Sequence, residues 1–515
     1  MIQTKNKTNL LILSFCFAVA AIFIYGYQFN NGDQEEHLPY VYRLLDPSLY
    51  AKDYLVPLQT SQFTVRFYFA WLVAGLGKII PVEMAVFILH FLSLILINFS
   101  LSAMVFRRTA SEWSMLITPL LILILNNTPL GGNGLFDVQL TCSMPAIALG
   151  LAGLNYFDAG KLKTGFALAG LAACFQALIG LHIGLLLFLT SLTLSGRNRI
   201  KEALTGFFLF IIFSSPMLVP VLIRQFSGGE SYNSSEYFNI LFLFRNAHHY
   251  APQCFPAAKF VFMTGYLALI WLLLKKQAIE QNRYIKVILF WVITGCIIYS
   301  AGFIFLRSET IAKTQWFKAN VWLFYLSIVI TAGAFGNVLK NAKAFGIIRN
   351  AAIVCSIGAL ILIFNSSILP VEKLQHRYKV GNYPKTDLQL MHDWIRTHVP
   401  INALMISFPG DDSFLCEAQR STLVGFKAII HEPEFILPWY EKIQRYYGIS
   451  YLDFDCGVNL IELANERYLN STFLDLPKNQ QPDYFLIKSI HERTKIFESG
   501  VQVKQIGDYI LFRIK

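Results

Sequence analysis

The stretch Leu10-Leu-Ile-Leu-Ser-Phe-Cys-Phe-Ala-Val-Ala-Ala-Ile-Phe-Ile-Tyr-Gly-Tyr27 holds no charged side chain. A helix rises 1.5 Å per residue, so a bilayer core of roughly 30 Å takes about 20 apolar residues to cross. This stretch is long enough, and in lipid its backbone groups must be satisfied within the segment, which only a helix achieves here. Lys5 and Lys7 flank it on one side, and no small-x-small cleavage site precedes Gln28, so it reads as a retained first span. Similar blocks recur, among them Val82–Phe106 and Ala351–Leu369.

Composition agrees with this pattern. The 515 residues are 55% hydrophobic and 15% charged, with mean hydropathy +0.48, whereas a soluble domain is about 25% charged. The net charge of +11 does not point to nucleic acid, because the basic residues gather in short loops between apolar runs. The expected spans are 10–27, 83–105, 114–126, 143–159, 165–179, 182–195, 202–222, 258–274, 286–305, 319–339 and 350–369. Alternate loops carry Lys5/Lys7, Arg107/Arg108, Lys161/Lys163, Arg197/Arg199/Lys201, Lys275/Lys276/Arg283/Lys286 and Lys340/Lys343/Arg349. The positive-inside rule puts those loops and the N-terminus in the cytoplasm. Eleven crossings then place the C-terminal part outside, in a multi-pass protein of the plasma (bacterial inner) membrane.

Two segments strain this topology. Phe63–Ile80 is apolar enough to cross, but a crossing there would invert every later loop, so it reads as a juxtamembrane or re-entrant helix with Arg66 at its polar edge. The run 165–195 is too long for one helix and holds Gln176, Gly180 and His182 in its middle, so it reads as two spans.

The expected fold is an all-α polytopic membrane domain, residues 1–369, with a first outer loop at 28–62. A C-terminal extracytoplasmic α/β domain follows at 370–515. In that domain Asp387–Val399 reads as an amphipathic helix N-capped by Thr386. Ala403–Phe408, Ser421–Phe426 and Tyr484–Ile487 read as strands, and Pro433–Tyr447 and Val458–Tyr468 as helices. Val501–Ile506 and Tyr509–Ile514 form a hairpin across Gly507-Asp508. Cys416 and Cys456 fall here and are candidates to pair in an oxidising compartment. Asp453-Phe-Asp455 has the spacing of a DxD motif, which a helix N-terminus explains as well.

The polar residues that carry chemistry cluster in the outer loops. Tyr27-Gln-Phe-Asn-Asn-Gly-Asp-Gln-Glu-Glu-His-Leu-Pro-Tyr-Val-Tyr-Arg43 sets Asp33, Glu35, Glu36 and His37 just past the first span. Carboxylates there suit proton abstraction from a hydroxyl. Asp33 and Glu36 also suit a divalent cation such as Mg or Mn through oxygen ligands. A solvated acidic loop would look the same. Arg245-Asn-Ala-His-His-Tyr-Ala-Pro brings His248 and His249 together beside Arg245, without the spacing of a zinc motif. Arg307, Lys313 and Lys318 are basic residues in an outer loop, against the topology rule, and suit a phosphate. Arg224 and Arg245 are placed to join them, and His182 is a polar group at a span end.

This organisation resembles the GT-C superfamily of integral membrane glycosyltransferases: a first helix, an outer loop opening with acids, a juxtamembrane helix, many spans and an extracytoplasmic tail. Gly32-Asp-Gln-Glu-Glu-His-Leu-Pro, Arg43-Leu-Leu-Asp-Pro-Ser-Leu-Tyr and Asn246-Ala-His-His-Tyr-Ala-Pro look like uncharacterised bacterial multi-pass proteins of that kind. The resemblance implies an inverting transfer from a polyprenyl-phosphate-linked sugar at the outer leaflet. Asp33 would be the base, with Glu35 or Glu36 as its alternative. Arg245, Arg307 and Lys318 would hold phosphate, and His248 and His249 would touch donor or metal; His182 is a further candidate for substrate binding. The lipid-linked donor, membrane lipid and an acceptor are the implied partners. A transporter or flippase of a lipid-linked substrate also fits many spans, but no internal repeat is evident. A non-catalytic scaffold of polysaccharide or glycolipid assembly is the other alternative.

Overall fold

Each apolar block of the sequence becomes a helix. The computed structural model describes residues 4–132, 134–194, 197–226, 232–276, 283–468, 481–488 and 500–514. It forms two units, one of Met1–Tyr27, Val86–Phe226 and His248–Leu369, the other of Gln28–Ala85, Ser227–Ala247 and Pro370–Lys515.

The first unit is helical. Thr4–Tyr25, Val82–Thr109, Glu112–Leu125, Ser143–Asp158, Leu162–Phe175, Ala177–Leu194, Arg197–Phe226, Ala257–Lys276, Arg283–Ile304, Asn320–Val338 and Phe345–Phe364 coincide with the apolar stretches expected to cross. Among the described residues, seven helices are long and apolar enough to span a bilayer, and the chain is a multi-pass membrane protein. Glu112–Leu125, Ser143–Asp158, Leu162–Phe175 and Ala177–Leu194 are shorter. At 1.5 Å per residue, the 14 residues of Leu162–Phe175 reach about 21 Å, less than the hydrocarbon thickness.

The run 165–195 is broken as expected, not between 179 and 182 but at Gln176. Its extended backbone ends one helix, and its side-chain Oε1 accepts the N–H of Ile179 at 2.9 Å to open the next. The two helices then pack on each other. Gly180 makes this possible, since a Cβ there would lie 2.2 Å from the Ala173 nitrogen.

A charge cluster ties three helix ends in this unit. Asp158 accepts from Arg107 at 2.8 Å, from Arg108 at 2.6 Å and from the Tyr284 hydroxyl at 2.8 Å. Arg107 and Arg108, read from sequence as topology markers, are thus also structural partners of a buried carboxylate.

The second unit is built on a five-stranded sheet ordered β2-β1-β3-β5-β4. Its strands are β1 (Leu404–Ile406), β2 (Ser421–Thr422), β3 (Tyr484–Lys488), β4 (Gly500–Ile506) and β5 (Tyr509–Ile514). β1 pairs in parallel with β2 and β3, while β5 runs antiparallel to β3 and β4. The expected hairpin turns at Gly507, whose φ of 52° lies in the left-handed region. β2 stops at Thr422, well short of the expected Phe426.

The Asp387–His398 helix covers this sheet. Thr386 and Gln389 form a reciprocal capping box at its start. Arg420 closes its end by donating to the carbonyls of Arg396 and Val399, both at 2.7 Å. Met391 and Ile395 pack on Met405, Phe414, Leu486 and Leu511 in the core. The expected Cys416–Cys456 pair does not form. Cys416 is a buried free thiol whose Sγ lies 3.4 Å from the Gln34 carbonyl, whereas Cys254 and Cys456 are each disulfide-bonded.

Residues 28–85 fold onto this sheet unit and do not form a free loop. The Tyr50 hydroxyl donates to the Leu415 carbonyl at 2.6 Å, and the Tyr54 hydroxyl to that of Ala428 at 2.5 Å. Phe67–Gly77 is a helix of 11 residues, about 16 Å long and too short to cross a bilayer unaided. It leaves Trp71 50% exposed.

Candidate active site

The acids of the first outer loop open a helix. Asn30 and Gly32 take left-handed φ values of 56° and 57°. The turn is held by Tyr42 donating to Asn30 Oδ1 at 2.9 Å and by the Asn30 N–H donating to Gln34 Oε1 at 2.8 Å. The Gln34–Leu45 helix follows, so Asp33, Glu35 and Glu36 sit at its positive end.

Their environments differ sharply. The Asp33 side chain is 53% exposed and pairs with Lys427 Nζ at 3.0 Å. Burial alone would lower the Lys427 pKa, but Asp33 beside it raises it. Glu36 is ion-paired with Arg66, both largely buried. Burial pushes the Glu36 carboxyl up, Arg66 outweighs it, and the pKa is lowered. Glu35 is 5% exposed and, among the described residues, no cation forms an ion pair with it. Burial first, then the charges of Asp412 and Asp411, raise its pKa well above the usual carboxylate range. His37 is buried 5.3 Å from the Phe69 ring, and its pKa falls to about 4, through burial and then Arg66.

Glu35 faces a narrow cleft with Ser407, Asp411, Asp412, Lys427 and Tyr447 in its lining. Its enclosed volume is about 20 Å³, room for about one water-sized group. Arg245 ends a π-helical turn, Asn239–Arg245, beside these residues. Its guanidinium donates to the Lys427 carbonyl and, at 3.2 Å, to Asn246 Oδ1. It lies 5.5 Å from the Phe426 ring centre. Asp33, Glu35, Glu36 and Arg245 are therefore gathered in one unit, around Lys427.

Behind the cleft lies a buried charge chain absent from the sequence reading. His392 is fully buried. Its Nε2 lies 3.0 Å from Asp411 Oδ2 and its Nδ1 2.9 Å from Glu417 Oε2. Ser407 donates to Asp411 at 2.5 Å and Gln389 to Glu417 at 3.0 Å. Burial disfavours the imidazolium, but the two carboxylates outweigh it and push its pKa up to about 9. One signal was legible: His392 shares a helix face with Leu388, Met391 and Ile395. Asp411, Asp412, Glu417 and Lys427 lie in irregular segments or a single helical turn, where no periodicity marks them.

The remaining expected site residues belong to the other unit. His182 Nε2 lies 2.9 Å from the Thr314 carbonyl oxygen. His249 Nδ1 lies 3.1 Å from the Gly131 oxygen, with the His248 and His249 rings 4.0 Å apart. A Cβ at Gly131 would lie 2.9 Å from the Lys318 nitrogen, and one at Gly132 2.3 Å from His249 Nδ1. The loops near 131, 249 and 315 thus lie together, with His249 bonded to the first and His182 to the last. Arg307 follows the Arg283–Ile304 helix with φ 47°. Asp453, the first acid of the DxD spacing, accepts from the Ser450 N–H at 2.7 Å and pairs with Arg467 at 3.0 Å, a local cap.

The residues do not fit the divalent cation expected at Asp33 and Glu36. Each already faces a cation, Lys427 or Arg66, and no group of three His, Cys, Asp or Glu able to hold a metal ion occurs among the described residues.

Residues 386–446 match the model of a domain of unknown function, DUF6798. The match spans His392, Asp411, Asp412, Glu417 and Lys427. No curated protein sequence matches the chain. Among solved structures, the chain is similar to the Archaeoglobus fulgidus oligosaccharyltransferase, crystallised in complex with Zn and sulfate, at 10% identity and a TM-score of 0.41, covering 94% of this chain and 68% of that one.

Proposed function

We propose that the protein is a membrane glycosyltransferase that takes a sugar from a polyprenyl phosphate at the outer leaflet and transfers it with inversion. The carrying observation is the pairing of opposite chemistries on either side of Lys427, which lines the cleft with Glu35 and pairs with Asp33. Asp33 is half exposed and ion-paired with Lys427, while Glu35 is buried among carboxylates. Environments that push neighbouring carboxyls apart are how acid and base roles are separated.

In this reading the acceptor hydroxyl attacks the anomeric carbon. The bond from that carbon to the phosphate oxygen breaks, its electron pair leaves with the phosphate, and the acceptor proton goes to Asp33. Lys427 and Arg245 hold the phosphate. Arg307, Lys318, His182, His248 and His249 are retained as donor-contacting candidates.

Two features support the location. The Phe67–Gly77 helix exposes Trp71 and Leu72, and Ile79 just beyond it is 82% exposed, an apolar face suited to the lipid headgroup boundary. Cys456 is disulfide-bonded, which favours an oxidising, extracytoplasmic compartment for the C-terminal part. The N-terminus is accordingly assigned to the cytoplasm of a plasma membrane.

The test is sugar release and transfer by membranes carrying the full chain, supplied with polyprenyl-phosphate sugars. Asp33→Asn should lower turnover by about 100-fold or more, the scale of a lost general base. Equal turnover in the two would remove Asp33 from the reaction.

A further inference from the structure

We propose that His392 is a positioning residue that fixes Asp411 as a permanent anion of the cleft, so that Glu35 keeps its proton and acts there as a hydrogen-bond donor to a phosphate oxygen. The inference deepens the glycosyltransferase reading in its last clause only; the placement of the proton rests on the burial of Glu35 and the acids that share its cleft, not on that reading.

The geometry is a chain of fixed contacts. His392 is fully buried between Asp411 and Glu417, at 3.0 and 2.9 Å. Ser407 and Ser413 donate to the same Asp411 carboxylate, at 2.5 and 3.4 Å. Gln389 completes Glu417. Both oxygens of each carboxylate therefore accept at least one contact, the condition under which a buried ion pair holds. Asp411 also lines the cleft, where Glu35 and Asp412 are its neighbours.

Two like charges in a small, poorly hydrated space cannot both be retained cheaply. Asp411 has a buried cation and two hydroxyl donors. Glu35 has no such cation among the described residues, and the groups facing it are mostly acidic or neutral. Asp411 and Asp412 come from the loop after β1, and Glu36 is its neighbour on the Gln34–Leu45 helix. Lys427 acts on it as a cation, and it is engaged by Asp33. Cys416, Tyr54 and Tyr447 complete the surroundings and are themselves held neutral by burial. The proton therefore resides on Glu35.

A chemical consequence follows. Ionised Glu35, Asp411 and Asp412 along the cleft would together repel a phosphate from Lys427 and Arg245. A neutral Glu35 removes one of those charges and presents an O–H donor in their place.

The experiment reads the protonated-carboxyl C=O band by infrared spectroscopy, on the purified full chain in lipid nanodiscs, as a function of pH. The Glu35 signal is the difference between the parent and Glu35→Gln. It should be present at neutral pH. In His392→Asn, the buried Asp411 takes up the proton, and the Glu35 signal should titrate at lower pH. If His392→Asn does not fold, Asp411→Asn gives the same downward shift by removing the neighbouring charge directly. No difference between parent and Glu35→Gln at neutral pH overturns the proposal. So does an unchanged Glu35 midpoint in His392→Asn or, where that variant does not fold, in Asp411→Asn. Absence of sugar transfer by the parent chain would instead defeat the enzyme reading and leave this proton placement standing.

Discussion

The Asp53 carboxylate accepts the Thr422 backbone N–H at 2.9 Å, and so clips the segment after the first span to the short strand β2. Its other oxygen accepts the N–H groups of Leu55 and Val56, both at 2.9 Å. The acids of the Gln34–Leu45 helix are thereby held against the sheet unit by a residue with no part in the chemistry.

Replacing Asp53 by Asn should weaken this clip. The amide keeps one acceptor oxygen, but its NH₂ group meets the Thr422 N–H donor to donor. The expected cost is about 1–3 kcal/mol. Burial raises the Asp53 pKa to about 6, against the three N–H bonds, while an unfolded chain has about 3.9. A folded pKa above the unfolded one gives stability that is complete below about pH 4 and lost as pH rises through about 6. Thermal unfolding at pH 4 to 6 should show this decline in the parent and lack it in Asp53→Asn.

The His392 chain predicts a second, separate window. Its folded pKa of about 9 lies above the ordinary value of about 6.5. The stability it contributes is complete below about pH 6.5 and disappears as pH rises through about 9. On the order of 3 kcal/mol is at stake. Unfolding followed by Trp439 and Trp394 fluorescence should show the loss between those values. A flat profile there would remove the buried imidazolium.

Asp158 binds Arg107, Arg108 and Tyr284 at once. Asp158→Ala leaves the largely buried Arg108 without its carboxylate, a change that costs about 3–5 kcal/mol in buried pairs. The detergent-solubilised variant should unfold at clearly lower temperature than the parent. Asp158→Glu, which retains the charge, should recover part of the loss.

Thiol counting checks the cysteine assignment. Of the eight cysteines, six are free. Denatured protein without reductant should therefore take up six alkylating groups, and eight after reduction. Cys416 should be among the six, and a Cys416→Ser variant should lose one label without changing the reducible pair.

The helices of the membrane part were legible because lipid leaves a chain little choice: apolar runs must satisfy their own backbone, and the period and length of Leu10–Tyr27 or Ala351–Leu369 state this locally. The existence of a break in 165–195, the Thr386 cap and the Gly507 turn were equally local and readable, although the break falls at Gln176 and not at 180–181. Which distant groups meet was decided only by the tertiary structure. Asp33 shows no sign in its own neighbourhood of Lys427, nor Glu36 of Arg66, because an ion pair between remote segments has no sequence period. His392 betrays its burial through its helix face, but not the two carboxylates that receive it. Tertiary packing alone sets those partners, and with them the charge each residue carries.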